Sequence, residues 1–130
     1  MGRKTVVSEK GPKAIGPYAH ASWAGDLLYL SGQTPIDPKT QKLMPDDISI
    51  QTEQVFNNLE VVLKDGGLSM DDVVKCNVYL TSMKDFPAMN AVYSTRFTPP
   101  YPARTTVAVL ELPLGALVEI EMVALKPKTA

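Results

Sequence analysis

Arg104 closes "PPYPAR", residues 99–104, where three prolines give way to the β-branched run "TTVAV". A guanidinium is a planar fork of donors that pairs with a carboxylate through two parallel hydrogen bonds. Fixed at the mouth of a strand, it would orient a small carboxylate metabolite; the other reading is a surface ion pair of little energetic value. The second chemistry-bearing stretch is "VEIEM". A strand period of two puts Glu119 and Glu121 on one face and Val118, Ile120 and Met122 on the other. Carboxylates there face water, guarding an edge against aggregation, or they face a functional cavity. Residue types alone leave both pairs of readings open.

Other chemistries are easier to set aside. His20 is the only histidine, and no Gly-x-Ser-x-Gly elbow presents a serine to it. A Cys76–His20 dyad exists on paper, but Cys76 lies in "VVKCNVYL", which reads as a buried strand where a thiol is inert. One histidine and one cysteine are too few for zinc. Asp46-Asp47 and Asp71-Asp72 read as the starts of a helix and a strand rather than as ligands for magnesium or calcium. Neither the dinucleotide fingerprint nor the phosphate loop is present. The expectation is no metal and no cofactor, with chemistry run on water, protons and hydrogen bonds.

Lys and Arg number 13 against 14 Asp and Glu, a formal net charge of -1, and no basic run marks a phosphate-backbone partner. No apolar stretch approaches the ~18 residues of a membrane span, and the N-terminus lacks a signal-peptide core. The single cysteine suits a reduced compartment. A cytoplasmic protein with no nucleic-acid or membrane partner is expected.

The elements that must position Arg104 and Glu119 follow from periodicity. With 130 residues, 45% hydrophobic, and no linker or repeat, residues 1–130 read as one domain. "HASWAGDLLYLSG" reads as a hairpin turning at Ala24-Gly25-Asp26, and "TPIDPKTQKLMPDD" as a loop. From Ser49, the stripe Val55, Phe56, Leu59, Val62 and Leu63 predicts a helix ended by Gly66-Gly67. "DDVVKCNVYL" alternates as a strand. Phe86, Met89, Tyr93 and Phe97 predict a second helix capped by Asp85, and "RTTVAVLEL" and "ALVEIEMVAL" follow as strands. The result is an α+β fold, a mixed sheet with two helices on one face and the other face wanting a partner.

Five segments carry a resemblance: "IGPYAHA", "YLSGQTPID", "FPAMNAVYSTRF", "PARTTVAV" and "VEIEMVAL", in order over almost the whole chain. Together they resemble the RidA (YjgF) family of enamine/imine deaminases. The resemblance implies a chorismate-mutase-like homotrimer with sites in clefts between subunits. It also implies hydrolysis of 2-imino acids, such as 2-iminobutanoate and 2-iminopropanoate (tautomer of 2-aminoacrylate), to 2-oxo acids and ammonia. Arg104 then matches the carboxylate-binding arginine and Glu119 the glutamate that positions water. Tyr18, Ser31, Gly32 and Asn90 fall where the family lines its pocket, and Glu121 is left as a solvated or interface residue. Thr106 stands where several members carry cysteine, which removes any reactive thiol there and leaves a small polar wall. A non-catalytic trimer that binds 2-oxo acids is the alternative.

One geometric expectation concerns assembly. If the last two strands pair as an antiparallel hairpin around Pro113–Gly115, Glu119 lies about five residues along the ladder from Arg104. That is roughly 17 Å, so the two would serve one site only from different subunits.

Overall fold

The first hairpin forms where its turn chemistry puts it. β1 (Thr5–Val6) pairs with β2 (Ala21–Ala24), which turns through Gly25 and Asp26 into β3 (Leu27–Gln33). Gly25 has φ +60°, a state that glycine adopts at little cost. The computed structural model describes residues 2–128.

The stretch expected to be a loop holds a small hairpin of its own, β4 (Ile36–Asp37) with β5 (Lys42–Leu43). Pro35 and Pro38 bracket β4, and a proline cannot donate to a ladder, so the pair stays short.

α1 (Ile48–Asp65) buries the predicted stripe completely, Val55, Phe56, Leu59, Val62 and Leu63 all at 0% exposure. Asp47 caps its start, its carboxylate accepting from Ile50 N–H at 3.0 Å. A Schellman turn ends it: Leu68 N–H donates to Leu63 O, Gly67 N–H donates to Lys64 O, and Gly67 takes φ +79°.

After β6 (Val73–Leu80) comes α2 (Phe86–Arg96), whose start differs from expectation. Asp85 already has helical backbone angles and its side chain makes no capping bond. A 3-10 turn over Met83–Asp85 leads into the helix instead, begun by Ser82 Oγ accepting from Lys84 N–H at 3.2 Å.

The largest correction concerns the last strands. β7 (Ala103–Ala108) pairs in parallel with β6, while β8 (Val118–Leu125) lies between β3 and β6, antiparallel to both. The sheet order is β1-β2-β3-β8-β6-β7, and the expected β7–β8 hairpin does not form. α2 is the crossover that lets β7 run beside β6 in the same direction. β7 also stops short of the expected Leu112: Leu110 is 95% exposed, and the chain returns to the middle of the sheet before β8 begins.

Both helices pack on one face of the sheet, over Leu28, Leu30, Cys76, Val78, Leu80, Val118, Ile120 and Met122. Each large aliphatic side chain buried there stabilises the fold by roughly 1.5–3 kcal/mol. Among the described residues the opposite face carries no helix, and it leaves Tyr29, Val107 and Leu125 exposed. Among the described residues no helix is long and apolar enough to cross a membrane.

Candidate active site

Strand register decides where the candidate residues go. Arg104 is level with Cys76 and Cys76 with Met122, two core residues, so Arg104 lies on the helix-covered face. Glu119 is level with Tyr79 and Tyr79 with Val107, on the helix-free face. Within one chain the two groups therefore stand on opposite sides of the sheet, with β6 between their strands. Their separation agrees with expectation but has a different cause. The assumed hairpin is absent, and the sheet itself divides them.

Arg104 is held by α2. Its Nη1 donates to Asn90 Oδ1 at 2.7 Å, and the guanidinium carbon lies 4.6 Å from the Tyr93 ring centre and 5.4 Å from that of Phe86. Aromatic faces attract a cation and tolerate its partial burial, so the group is oriented with no acidic partner among the described residues. Its surroundings form a cleft of about 410 Å³ lined by Asn90, Tyr93, Ser94, Tyr101 and Pro102. Thr106 lies one pleat along on the same face. Its Oγ1 is buried with no hydrogen-bond partner among the described residues. Beneath Arg104, burial pushes the Cys76 thiol up to about 11, which leaves it protonated and inert at neutral pH.

Tyr18, Ser31, Gly32 and Glu119 meet in a second cleft of about 320 Å³, with Lys13, Ile15 and Leu114 among its walls. The β3–β8 register shifts between Leu30 and Gln33, and the irregularity brings Ser31 and Gly32 beside Glu119. Gly32 leaves room for the carboxylate: a Cβ there would sit 3.0 Å from the Glu119 carboxyl carbon and closer still to Oε2. Ser31 Oγ donates to Ala19 O at 2.7 Å, so its proton is committed to the backbone. Burial, and then the charge of Glu121, raise the pKa of half-buried Glu119 above its ordinary value.

Glu121, expected as a solvated or interface residue, has two hydrogen-bond donors within the chain. Tyr79 Oη donates to its Oε1, and Asn77 Nδ2 donates to the same oxygen at 3.2 Å. That bond to Glu121 is the main cause that pushes the Tyr79 phenol up to about 12.

The structure thus gathers the sequence candidates into two groups, Arg104 with Asn90 on one face and Glu119 with Tyr18, Ser31 and Gly32 on the other. Sequence reasoning missed the aromatic shelf. Phe86 and Tyr93 were visible as an apolar stripe, but only the β6–β7 pairing places an arginine over them. Tyr79 and Asn77 were visible only as alternating strand residues.

Comparison with known proteins gives the family. The profile of the Ribonuc_L-PSP family, described as endoribonuclease L-PSP, matches residues 8–126. A RutC family protein of Pyrococcus horikoshii is 45% identical over 95% of this chain and 98% of its own length. A 2-iminobutanoate/2-iminopropanoate deaminase of Dermatophagoides farinae is 40% identical over 95% of this chain and 97% of its own. The crystal structure of RidA from an Antarctic Psychrobacter superposes with a TM-score of 0.91 at 41% identity, covering 95% of this chain and 99% of that one. The chain belongs to the Ribonuc_L-PSP family, which includes RidA and YjgF.

Proposed function

We propose that the protein hydrolyses small reactive 2-imino acids and their enamine tautomers, 2-iminobutanoate and 2-iminopropanoate among them, to 2-oxo acids and ammonia. The observation that carries this reading is the pair of clefts. One offers a stacked guanidinium with no acidic hydrogen-bond partner among the described residues, the other a half-buried carboxylate with a raised affinity for protons. The relative named as a deaminase supports it.

The clefts are joined, on this proposal, by assembly. In a homotrimer, each copy would give its Arg104 cleft to one neighbour and its Glu119 cleft to the other, making three equivalent sites. The exposed apolar residues of the helix-free face suit such burial. Arg104, with Asn90 beside it and Thr106 as a small polar wall, clamps the substrate carboxylate, which makes attack effectively intramolecular. Ionised Glu119 holds a water and takes its proton as the oxygen bonds to the imine carbon. Glu119 returns that proton to the nitrogen, leaving an amino alcohol at the former imine carbon. It then takes the hydroxyl proton and hands it to the amine, and the C–N bond breaks as the new C=O forms and ammonia leaves. Tyr18 closes the cleft and orients water or substrate. No step needs a metal, a cofactor or a protein nucleophile. The buried free thiol suits the reduced cytoplasm.

One observation favours a second reading, a non-catalytic carboxylate sensor: the Arg104 cleft is complete without Glu119. Trapping experiments separate the two. With 2-iminobutanoate generated in situ by an amino-acid oxidase, the wild type should suppress semicarbazone formation. Glu119→Gln should lose that effect while still binding 2-oxobutanoate. A folded wild-type trimer that leaves trapping of several imines unchanged would sink the deaminase reading and leave the sensor.

A further inference from the structure

We propose that His20 is a positioning residue, a neutral two-sided clip that holds the arc of chain from Ser8 to Tyr18 over the Glu119 cleft. Its kinetic consequence rests on the deaminase reading; its structural consequence does not.

His20 is only 2% exposed, and both ring nitrogens are engaged. Nδ1 accepts from Ser8 N–H at 2.9 Å, and Nε2 lies 2.8 Å from Pro12 O. A backbone amide can only donate and a carbonyl can only accept, so Nδ1 carries the lone pair and Nε2 the proton. Both bonds exist only in that one neutral tautomer. The ring is thereby unavailable to Cys76 or to substrate as an acid or base.

Among the described residues, the arc the ring holds makes few other hydrogen bonds. Residues 7–20 contain no helix or strand, yet Pro12, Lys13, Ile15 and Tyr18 supply one wall of the cleft around Glu119. A further tie, Lys13 N–H donating to Gln41 Oε1 at 3.1 Å, is exposed to water. The backbone of His20 is in turn pinned to the bulge beside Glu119, because Ser31 N–H donates to His20 O at 2.9 Å. A continuous path therefore runs from Gly32 and Glu119 through Ser31 and His20 to the arc, and it sets where Tyr18 stands relative to the carboxylate.

Loss of the clip lowers the fraction of molecules with the arc closed, and apparent affinity falls by that fraction, while saturating substrate re-closes the arc. His20→Leu should therefore raise KM for 2-iminobutanoate about tenfold with kcat within about twofold of wild type. Amide hydrogen exchange should quicken over residues 8–18 and stay unchanged in β6 and β8. His20→Gln should restore both readouts, since an amide side chain also offers one acceptor oxygen and a donor nitrogen. A purely structural role would lower the melting temperature without moving KM. If His20→Leu fails to fold, Ser8→Pro removes the N–H that Nδ1 accepts and leaves the ring in place; it should give the same two changes.

The inference fails if the variant that folds leaves arc exchange unchanged, or if His20→Gln behaves like His20→Leu. Wild type inert toward imines would overturn the deaminase reading alone, with the exchange data still deciding on the clip.

Discussion

On the helix-covered face, three side chains of α2 converge on one guanidinium; on the helix-free face, Glu119 rests against a residue with no side chain. Arg104 is oriented by added contacts, the Asn90 amide and the Tyr93 and Phe86 rings. Glu119 is accommodated by an omission, the missing Cβ of Gly32, beside a register shift. The chemistry of the two groups explains the difference. A guanidinium is weakly hydrated and stacks well on aromatic faces, so apolar walls can hold it. A carboxylate brought out of water needs donors or protons instead, and partial burial raises its proton affinity.

The division between faces makes the largest prediction. On the proposed reading, the Arg104→Ala and Glu119→Gln variants should each be nearly inactive, having lost the proposed clamp or the proposed water-holding carboxylate. If sites are shared between copies, unfolding and reassembling an equal mixture should return about a quarter of wild-type activity, the fraction of interfaces that pair an intact arginine with an intact glutamate. Mixtures that stay as inactive as their parents, despite proven subunit exchange, would place both groups in one chain's site. A smaller effect tests the omission itself. Gly32→Ala should displace the Glu119 carboxylate and lower kcat by about 10–100-fold, since a misplacement of about 1 Å suffices. Circular dichroism should show the fold retained. Unchanged kcat would mean that the carboxylate position seen against Gly32 is not the working one.

Much of the fold is legible in the sequence, and the rest is hidden for identifiable reasons. The α1 stripe, the Gly66-Gly67 stop and the β2–β3 turn depend on local spacing, and all three appear where the sequence puts them. Strand partnership does not depend on local spacing. Nothing between Arg104 and Glu119 announces that β7 joins β6 rather than β8, because that choice is made by the α2 crossover and by burial of β8 in mid-sheet. Arg104 and Glu119 stand out in the sequence as candidates; the surfaces that hold them do not. Tyr93 read as plain core and His20 as a strand residue, since a polar contact across the fold leaves no period in the sequence.

Glu121 offers the finest test, through pH. Its charge, after burial, is a cause of the raised Glu119 pKa, and it is itself held by Tyr79 and Asn77. If Glu119 works as a base, only its ionised form is active, so activity is lost as pH falls through the raised value. The acid limb of kcat/KM should therefore lie above the range of an ordinary glutamate. Glu121→Gln removes the neighbouring negative charge, which favours ionisation of Glu119, and the limb should move to lower pH. It should remain above the ordinary range, because burial is the larger cause and is left in place. A limb that moves upward, or does not move, would mean that the group titrating in the profile is not Glu119. The helix-free half of the comparison would then need a different base.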